Sequence, residues 1–265
     1  MQLIDVHCHL HDSRIVSGIG TLVEQAERAG VTAMVSCATM EENFEVTARL
    51  SERFDSILPF FGIHPWFIQT RSSRWKEMLE NYLTAGPSGI GETGLDFTDK
   101  TWDRTDQILV FEHHLALARE LKRPANIHIR KAWDAVLKIL KRHGRLPVPG
   151  VIHSYSGSAD MIPLLESYNL YLSFSGSITY PGARKVVAAL QQVSKDRYVL
   201  ETDTPDICPY LDDVRISGVN EPRYLPDIAQ AGARQTGEDL SVFAGRAYDN
   251  AANLLASVFT VKKDE

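Results

Sequence analysis

The stretch Leu3-Ile4-Asp5-Val6-His7-Cys8-His9-Leu10 is the first predicted β-strand, and it ends in two histidines that are separated by one residue. Side chains at positions i and i+2 of a strand project to the same face, so His7 and His9 can direct two imidazoles at one point. Such a point is a natural metal site. Histidines this close also occur in hydrogen-bonded protein cores, so the stretch alone leaves a metal site and a structural pair equally open.

Outward from this stretch, short apolar runs rich in β-forming residues alternate with amphipathic segments along the chain, which is typical of crossover units around a parallel sheet. After the first strand, the predicted strands are Val31–Cys37, Ile57–Ile63, a short one around Gly89–Gly91, Pro124–Ile129, Val148–His153, Leu170–Phe174 and Tyr198–Thr202. The predicted helices are Gly20–Ala29, Glu41–Arg53, Arg74–Leu83, Arg104–Leu121, one marked by Ala132, Val136 and Ile139, then Ser158–Ser167, Ala183–Gln192, and two closing helices at Pro222–Thr236 and Glu238–Ala256. These eight cycles predict an α/β fold, a single (β/α)8 TIM barrel with extra C-terminal helices that forms one domain over residues 1–265.

The composition is that of an ordinary globular protein, since 44% of the 265 residues are hydrophobic and 23% are charged. Three cysteines are too few and too scattered for a disulfide framework, which favours a reducing compartment. Neither an export signal nor an apolar run of membrane-spanning length is present, so we expect a cytoplasmic protein without a membrane partner. The net charge of −6 argues against a uniformly basic surface for nucleic acid but leaves a local basic patch open.

Residues that can bind a metal recur where the predicted strands end. In a barrel of this type the loops after the strands form the open mouth, and catalytic groups lie there. The residues at these positions are His7, His9, Glu92, His128, His153 and Asp203. Four imidazoles and two carboxylates without a thiolate suit a pair of divalent ions such as Mg, Mn or Zn, bridged by one carboxylate. Each histidine taken singly is also compatible with a core position, but the whole set at one rim favours the metal site.

Seven short motifs along the chain are distinctive as a set. They are Ile4-Asp5-Val6-His7-Cys8-His9, Gly62-Ile63-His64-Pro65, Gly91-Glu92-Thr93-Gly94-Leu95-Asp96, Ile127-His128-Ile129-Arg130, His153-Ser154-Tyr155-Ser156-Gly157, Glu201-Thr202-Asp203-Thr204-Pro205 and Asn220-Glu221-Pro222. Together they resemble the motifs of TatD-family metal-dependent hydrolases, a branch of the amidohydrolase-like barrels, and the resemblance covers essentially the whole chain. Ile129 departs from the family pattern, because relatives often carry Ser or Cys between this histidine and arginine.

The resemblance implies that the six rim residues are the metal ligands, with Glu92 shared between two ions. It also implies metal-dependent hydrolysis of phosphodiester bonds in DNA, typically as a 3′ to 5′ exonuclease. We expect Asp203 and Glu92 to be the catalytic carboxylates, with Asp203 accepting the proton of the attacking water, although a role for Asp203 as a ligand only stays open. Asp5 lies one layer deeper on the same side of the strand as the two histidines and is predicted to orient a ligand imidazole.

Two residues are predicted to bind the substrate. Arg130 follows His128 by two positions, so its planar fork could bind a phosphate beside the metals. A salt bridge from Arg130 to Asp96 or Glu201 is the alternative. His64, after the third strand, could donate to a phosphate oxygen, or it could be structural.

The segment after His64 interleaves aromatic and basic residues. Trp66, Phe67, Arg71 and Arg74 predict either a surface that stacks bases and attracts phosphates, or a lid packed on the barrel. The longest irregular segment, 203–220, follows the eighth strand, where an active-site loop is expected.

Three kinds of function stay open from the sequence. The favoured one is a nuclease that acts on DNA ends or short single strands, with no obligate protein partner evident. A barrel enzyme that hydrolyses an amide, ester or lactone is the second, although Glu92 stands where such enzymes carry a carboxylated lysine, which favours phosphoesters. A non-catalytic metal-dependent binding protein is the third, and the complete ligand set disfavours it.

Overall fold

Eight parallel strands of the computed structural model stand side by side in the order in which they occur in the chain. The structure describes residues 1–211, 214–215 and 217–259. The strands of the barrel are β1 (Leu3–Cys8), β2 (Val31–Cys37), β3 (Ile57–Phe61), β4 (Gly89–Asp96), β5 (Ala125–Arg130), β6 (Gly150–Ile152), β7 (Leu170–Phe174) and β8 (Tyr198–Leu200). The α-helices are α1 (Ile19–Arg28), α2 (Glu41–Arg53), α3 (Trp75–Ala85), α4 (Arg104–Glu120), α5 (Trp133–His143), α6 (Ile162–Ser167), α7 (Arg184–Gln192), α8 (Leu225–Thr236) and α9 (Leu240–Leu255). The predicted (β/α)8 barrel with extra C-terminal helices is confirmed.

The barrel closes between β8 and β1 through hydrogen bonds beyond the end of β8. The backbone N–H of Asp203 donates to the carbonyl oxygen of His7 at 3.0 Å. The buried carboxylate of Asp5 accepts from the backbone N–H of Thr202 at 3.0 Å and from its hydroxyl at 2.5 Å. Helix α9 packs against β1 and β8 and covers this seam. The seam brings Asp203 next to the two histidines of the first strand.

Strand β4 is longer than the sequence predicted, so Glu92 lies inside the strand and not after it. Gly91 and Gly94 have φ angles of 143° and 149°. A side chain at Gly94 would lie 1.9 Å from the carbonyl oxygen of His128, so only glycine lets the two strands approach this closely. Glycine is depleted in ordinary strands, which is why the sequence pattern hid the extent of β4.

Strands β6 and β8 are shorter than predicted, and His153 and Asp203 lie just beyond them. Ser154 has a φ of 41° and Asp203 a φ of 57°, backbone conformations that a strand does not contain, so the ladders end before these residues. The segment 203–220 is not entirely irregular, because Tyr210–Leu211 (β9) pairs antiparallel with Val214–Arg215 (β10).

Buried apolar side chains fill the space between the strands and the helices. A smaller apolar cluster joins strand residues such as Ile4 and Val6 to Tyr248, Ala251 and Leu254 of α9. Among the described residues, no helix combines the length and the apolar character that crossing a membrane requires. Most of the buried ionisable side chains belong to the strands or to the residues that closely follow them, among them Asp5, His7, Glu92, Asp96, His153, Glu201 and Asp203.

Candidate metal and active site

Side chains from five strands, or from the residues that follow them, converge at the mouth of the barrel. They are His7 in β1 and His9 directly after it, Glu92 in β4, His128 in β5, His153 directly after β6, and Asp203 after β8. Glu92 occupies the middle of the group, and its side chain is only 3% exposed. The structure thus brings together all of the residues that the sequence predicted as metal ligands.

The first set of donor atoms surrounds Oε2 of Glu92. It consists of this oxygen, Nε2 of His7, Nε2 of His9 and Oδ1 of Asp203. The two imidazole nitrogens are 3.2 Å apart, and each lies between 3.4 and 3.6 Å from both carboxylate oxygens. Ligand atoms of a tetrahedral site with bonds of about 2.1 Å are about 3.4 Å apart. The set therefore has the spacing of a tetrahedral cation site.

The second set surrounds the other oxygen of the same carboxylate. Oε1 of Glu92 is 3.0 Å from Nδ1 of His128 and 2.9 Å from Nε2 of His153, and these two nitrogens are 3.0 Å apart. Neighbouring ligands of an octahedral site with bonds of about 2.1 Å are about 3.0 Å apart. The two oxygens of Glu92 therefore face two different pairs of histidines, as those of a bridging carboxylate do.

The outer nitrogens of His7 and His9 show which nitrogen carries the proton. Nδ1–H of His7 donates to Oδ1 of Asn126 at 2.9 Å, and Nδ1–H of His9 donates to the carbonyl oxygen of Cys37 at 2.9 Å. Because both partners can only accept at these atoms, Nδ1 carries the proton of each neutral ring, and Nε2 then presents its lone pair to the centre. Two lone pairs that face each other repel unless a cation lies between them, so the geometry fits a bound cation.

The second pair of histidines is supported in the same way. Nε2 of His128 lies 3.3 Å from Oδ2 of Asp96, and Nδ1 of His153 lies 3.5 Å from Oε1 of Glu201. Carboxylates that face the outer nitrogen of an imidazole are typical of metal-binding histidines. The alternative of a salt bridge from Arg130 to Asp96 or Glu201 is wrong, because Arg130 forms no ion pair with any residue that the structure describes.

Comparisons with known proteins agree with this arrangement. The sequence matches the model of the TatD related DNase family over residues 4–256. The chain belongs to that family. YjjV of Escherichia coli K12 is 30% identical over 211 residues, which cover 78% of this chain and 80% of YjjV. YabD of Bacillus subtilis is 30% identical over 235 residues, which cover 86% of this chain and 89% of YabD, and both relatives are named as uncharacterized metal-dependent hydrolases.

Solved structures show the same relationship. The crystal structure of YjjV, a TatD homologue, has a TM-score of 0.89 at 27% identity and covers 95% of this chain and 97% of that one. A TatD-family hydrolase from Entamoeba histolytica has a TM-score of 0.84 at 19% identity, covers 96% and 98%, and shows the shared fold. The present TatD-family protein is therefore a metal-dependent hydrolase, and the resemblance predicted from its motifs is confirmed.

Asn126 is a site residue of this TatD-family hydrolase that sequence reasoning missed. Its Nδ2 donates to the carbonyl oxygen of Val6 at 3.0 Å, which leaves Oδ1 to face His7. Asp5, which was predicted to orient an imidazole, instead accepts from Thr202 and, at 3.3 Å, from the backbone N–H of His7. The available signal was the position of Asn126, two residues before a ligand histidine and on the same face of β5.

Replacement of Asn126 by leucine is expected to weaken metal binding. The His7 imidazole then loses the acceptor that holds its proton on Nδ1, and supporting contacts of this kind contribute about 10- to 100-fold to metal affinity. Competition with a chromophoric chelator measures the metal dissociation constant. The control is Asn81→Ala at an exposed position of α3. Equal dissociation constants for both variants would contradict the role of Asn126.

Carboxylates dominate the electrostatics of the centre. Burial lowers the pKa of His9, but the hydrogen bond with Asp203 and the charge of Glu92 outweigh it and raise this pKa to about 9. Burial alone raises the pKa of Glu92, but the charges of the surrounding histidines bring it well below its usual value. The hydrogen bonds from His7 and His9 likewise overcome burial and lower the pKa of Asp203. Without a metal, the ionised carboxylates hold protons on the surrounding imidazoles, and a bound cation would displace these protons.

His64 differs from the four converging histidines in the nitrogen that it presents. Its Nδ1 accepts from the backbone N–H of Trp66 at 3.2 Å, so the proton lies on Nε2, which is 3.2 Å from Oε1 of Glu92. Burial lowers the pKa of His64 to about 4, so the ring is neutral at pH 7. A protonated nitrogen cannot ligate a metal. His64 is thus a hydrogen-bond donor at the edge of the centre.

A cavity of about 600 Å³ opens above the centre and is lined by Trp66, Phe67 and Arg130, among others. Trp66 is 48% exposed, and its Nε1–H donates to Asp96 at 2.8 Å. The aromatic half of the predicted stacking surface therefore lies at the site. Arg71 and Arg74 do not line this cavity, and their charges are paired, Arg71 with Asp106 at 2.7 Å and Arg74 with Glu77 at 2.7 Å.

Proposed function

We propose that this TatD-family hydrolase is a deoxyribonuclease that removes nucleotides from the 3′ end of DNA with two divalent ions, Mg, Mn or Zn. The observation that carries the proposal is the division of the two Glu92 oxygens between two pairs of histidines. The first ion is assigned to His7, His9, Glu92 and Asp203, and the second to Glu92, His128 and His153. When bound, such ions neutralise the charge of a phosphodiester and lower the pKa of water.

Asp203 is the residue that we assign as proton acceptor. Its side chain is 12% exposed, whereas that of Glu92 is 3% exposed, so Asp203 is the carboxylate of the pair that meets water. Asp203 is ionised at neutral pH and can therefore receive a proton from water whose acidity bound cations would raise. Glu92 is enclosed by imidazoles and holds the centre together.

Three side chains are assigned to the substrate. The Nε2–H of His64 donates to a phosphate oxygen, and the exposed fork of Arg130 binds the same phosphate from the cavity wall. Arg130 forms no ion pair with any described residue, and the carboxylate that Nε2 of His64 faces is the buried one of Glu92, at 3.2 Å. The exposed indole of Trp66 offers a face on which the terminal base stacks.

The preference for chain ends is supported by one wall of the cavity. The guanidinium of Arg14 pairs with Asp12 at 2.9 Å and with Asp206 at 2.9 Å, which joins the loops that follow β1 and β8. All three residues line the cavity. We propose that this ion-paired wall limits how far a strand can extend past the centre on that side, which favours a chain end over the middle of a duplex. The 3′ polarity itself rests on the family resemblance.

The test is incubation of a 5′-labelled single-stranded DNA 20-mer with the purified protein and Mg, Mn or Zn, with and without a chelator. Because the phosphate charge is neutralised only when cations are bound, we expect metal-dependent shortening from the 3′ end and no product with the chelator. A 3′-labelled strand should release labelled mononucleotide. The proposal would be contradicted if the protein hydrolysed an amide, ester or lactone from a substrate panel and left the DNA uncleaved. Tight binding of DNA without turnover would also contradict it.

A further inference from the structure

A second cleft of about 600 Å³ lies between α4 and α5, and nothing described above uses it. Its walls include Phe97, Arg104, Lys131, Trp133, Lys138 and Arg142. Sequence reasoning did not single out this cleft, because its two walls come from segments that are separated by β5.

The cleft lies beside the metal cavity. Phe97 directly follows β4 and Lys131 directly follows β5, the two strands that carry Glu92 and His128. The backbone N–H of Phe97 donates to the carbonyl oxygen of Arg130 at 2.9 Å, which ties the two strand ends together. Arg130 lines the metal cavity and the next residue lines the cleft. The cleft is therefore within reach of a chain that leaves the centre past Arg130.

The cleft is strongly basic in a protein whose net charge is −6. Its walls carry four cationic side chains and one carboxylate, that of Asp134. Arg142 is neutralised by Glu112 at 2.7 Å. In the part of the chain that the structure describes, Arg104, Lys131 and Lys138 form no ion pair. Positive charge that is concentrated and unpaired in this way attracts a polyanion.

Aromatic rings accompany these charges. The guanidinium of Arg104 lies 4.8 Å from the centre of the Phe97 ring, over its face. The half-buried Trp133 packs edge to face against Tyr155, with 5.4 Å between ring centres. Basic residues interleaved with aromatic rings are typical of surfaces that bind single-stranded nucleic acid, whereas an acidic peptide needs only the charges.

We propose that this cleft binds the single strand that trails behind the nucleotide held in the metal centre, through phosphate contacts of Lys131 and Lys138. The inference rests on the proposed nuclease function and extends it, because it makes affinity depend on strand length. A substrate of one or two nucleotides does not reach the cleft, whereas a longer strand does.

The test compares two variants that change the net charge equally. The cleft variant is Lys131→Glu/Lys138→Glu, and the control is Lys122→Glu/Lys141→Glu. Lys122 and Lys131 have nearly equal φ angles, 51° and 52°. Lys138 and Lys141 are both exposed on α5, so each lysine of the cleft variant has a counterpart with the same backbone conformation in the control. A phosphorothioate-linked 20-mer, which resists cleavage, reports binding at increasing salt. Bis(p-nitrophenyl) phosphate, a diester too small to reach the cleft, reports turnover and folding.

The cleft variant is expected to bind the 20-mer roughly tenfold more weakly than the wild type. The slope of log K against the logarithm of the salt concentration should be smaller in magnitude by about 1.4, because two phosphate contacts are lost. The control variant should bind like the wild type, and both variants should turn over the small diester normally. If the two variants bound the 20-mer with equal affinity while the wild type degraded DNA, the inference about the cleft would be overturned and the proposed nuclease function would stand. If the wild type bound polyglutamate as tightly as DNA, and the cleft variant lost this binding, the assignment of the cleft to DNA would be overturned. A wild type that degrades no DNA with any metal would overturn the proposed function itself.

Discussion

Glu92→Gln is expected to reduce kcat/KM on single-stranded DNA by a factor on the order of 1,000 or more, because an amide cannot hold two cations through two anionic oxygens. Both oxygens of Glu92 are engaged, one with His7 and His9 and the other with His128 and His153. The loss should therefore extend to metal content, which elemental analysis of the dialysed protein measures.

Glu52→Gln serves as the matched control for this substitution, since Glu52 is exposed near the C-terminal end of α2, the end of the helix that lies opposite the mouth of the barrel. The control should keep both its metal content and its activity. A Glu92→Gln variant that keeps the full metal content and cleaves DNA at the wild-type rate would refute the bridging role. Circular dichroism separates this result from unfolding.

Asp203→Asn is expected to reduce kcat by about 100- to 10,000-fold, which is the range for loss of a positioned proton acceptor. Asparagine preserves the shape of the side chain and tolerates the φ of 57° at this position, so the fold should persist. The amide oxygen can still contact a cation but cannot take a proton at neutral pH. The decisive comparison is therefore kcat against metal content.

The two roles left open for Asp203 give different results. A proton acceptor predicts a large fall in kcat at saturating metal with little change in KM. A residue that only holds a cation predicts that excess metal restores the activity. Full rescue by Mn at millimolar concentration would refute the assignment of Asp203 as proton acceptor.

The sequence predicted the converging residues well because all strands of a parallel barrel end at the same rim, so residues near the strand ends lie close together. His7 and His9 share a face by alternation, and each other member ends a predicted strand or follows it. The alternation of strands and helices also located most elements within a few residues. Only β4 was seriously underestimated, because its glycines allow a close strand approach that ordinary strand propensity does not describe.

The support of the site was much harder to predict. Asn126 is not a metal ligand by type, and its contact with His7 joins residues 119 positions apart. The same holds for Asp96 and Glu201, which the sequence offered as partners of Arg130 and the structure places beside His128 and His153. The sequence offered Arg71 and Arg74 as residues that attract phosphates, yet both form ion pairs with carboxylates of the protein. Charge pairing of this kind depends on side-chain positions that no local pattern encodes.

Anomalous diffraction from crystals soaked in Mn would locate the cations that Glu92 is proposed to bridge. Two peaks about 3.5–4 Å apart are expected, as in other two-metal sites, with Glu92 touching both. One peak should contact His7, His9 and Asp203, and the other His128 and His153. A single peak away from Glu92, or none at saturating Mn, would contradict the account.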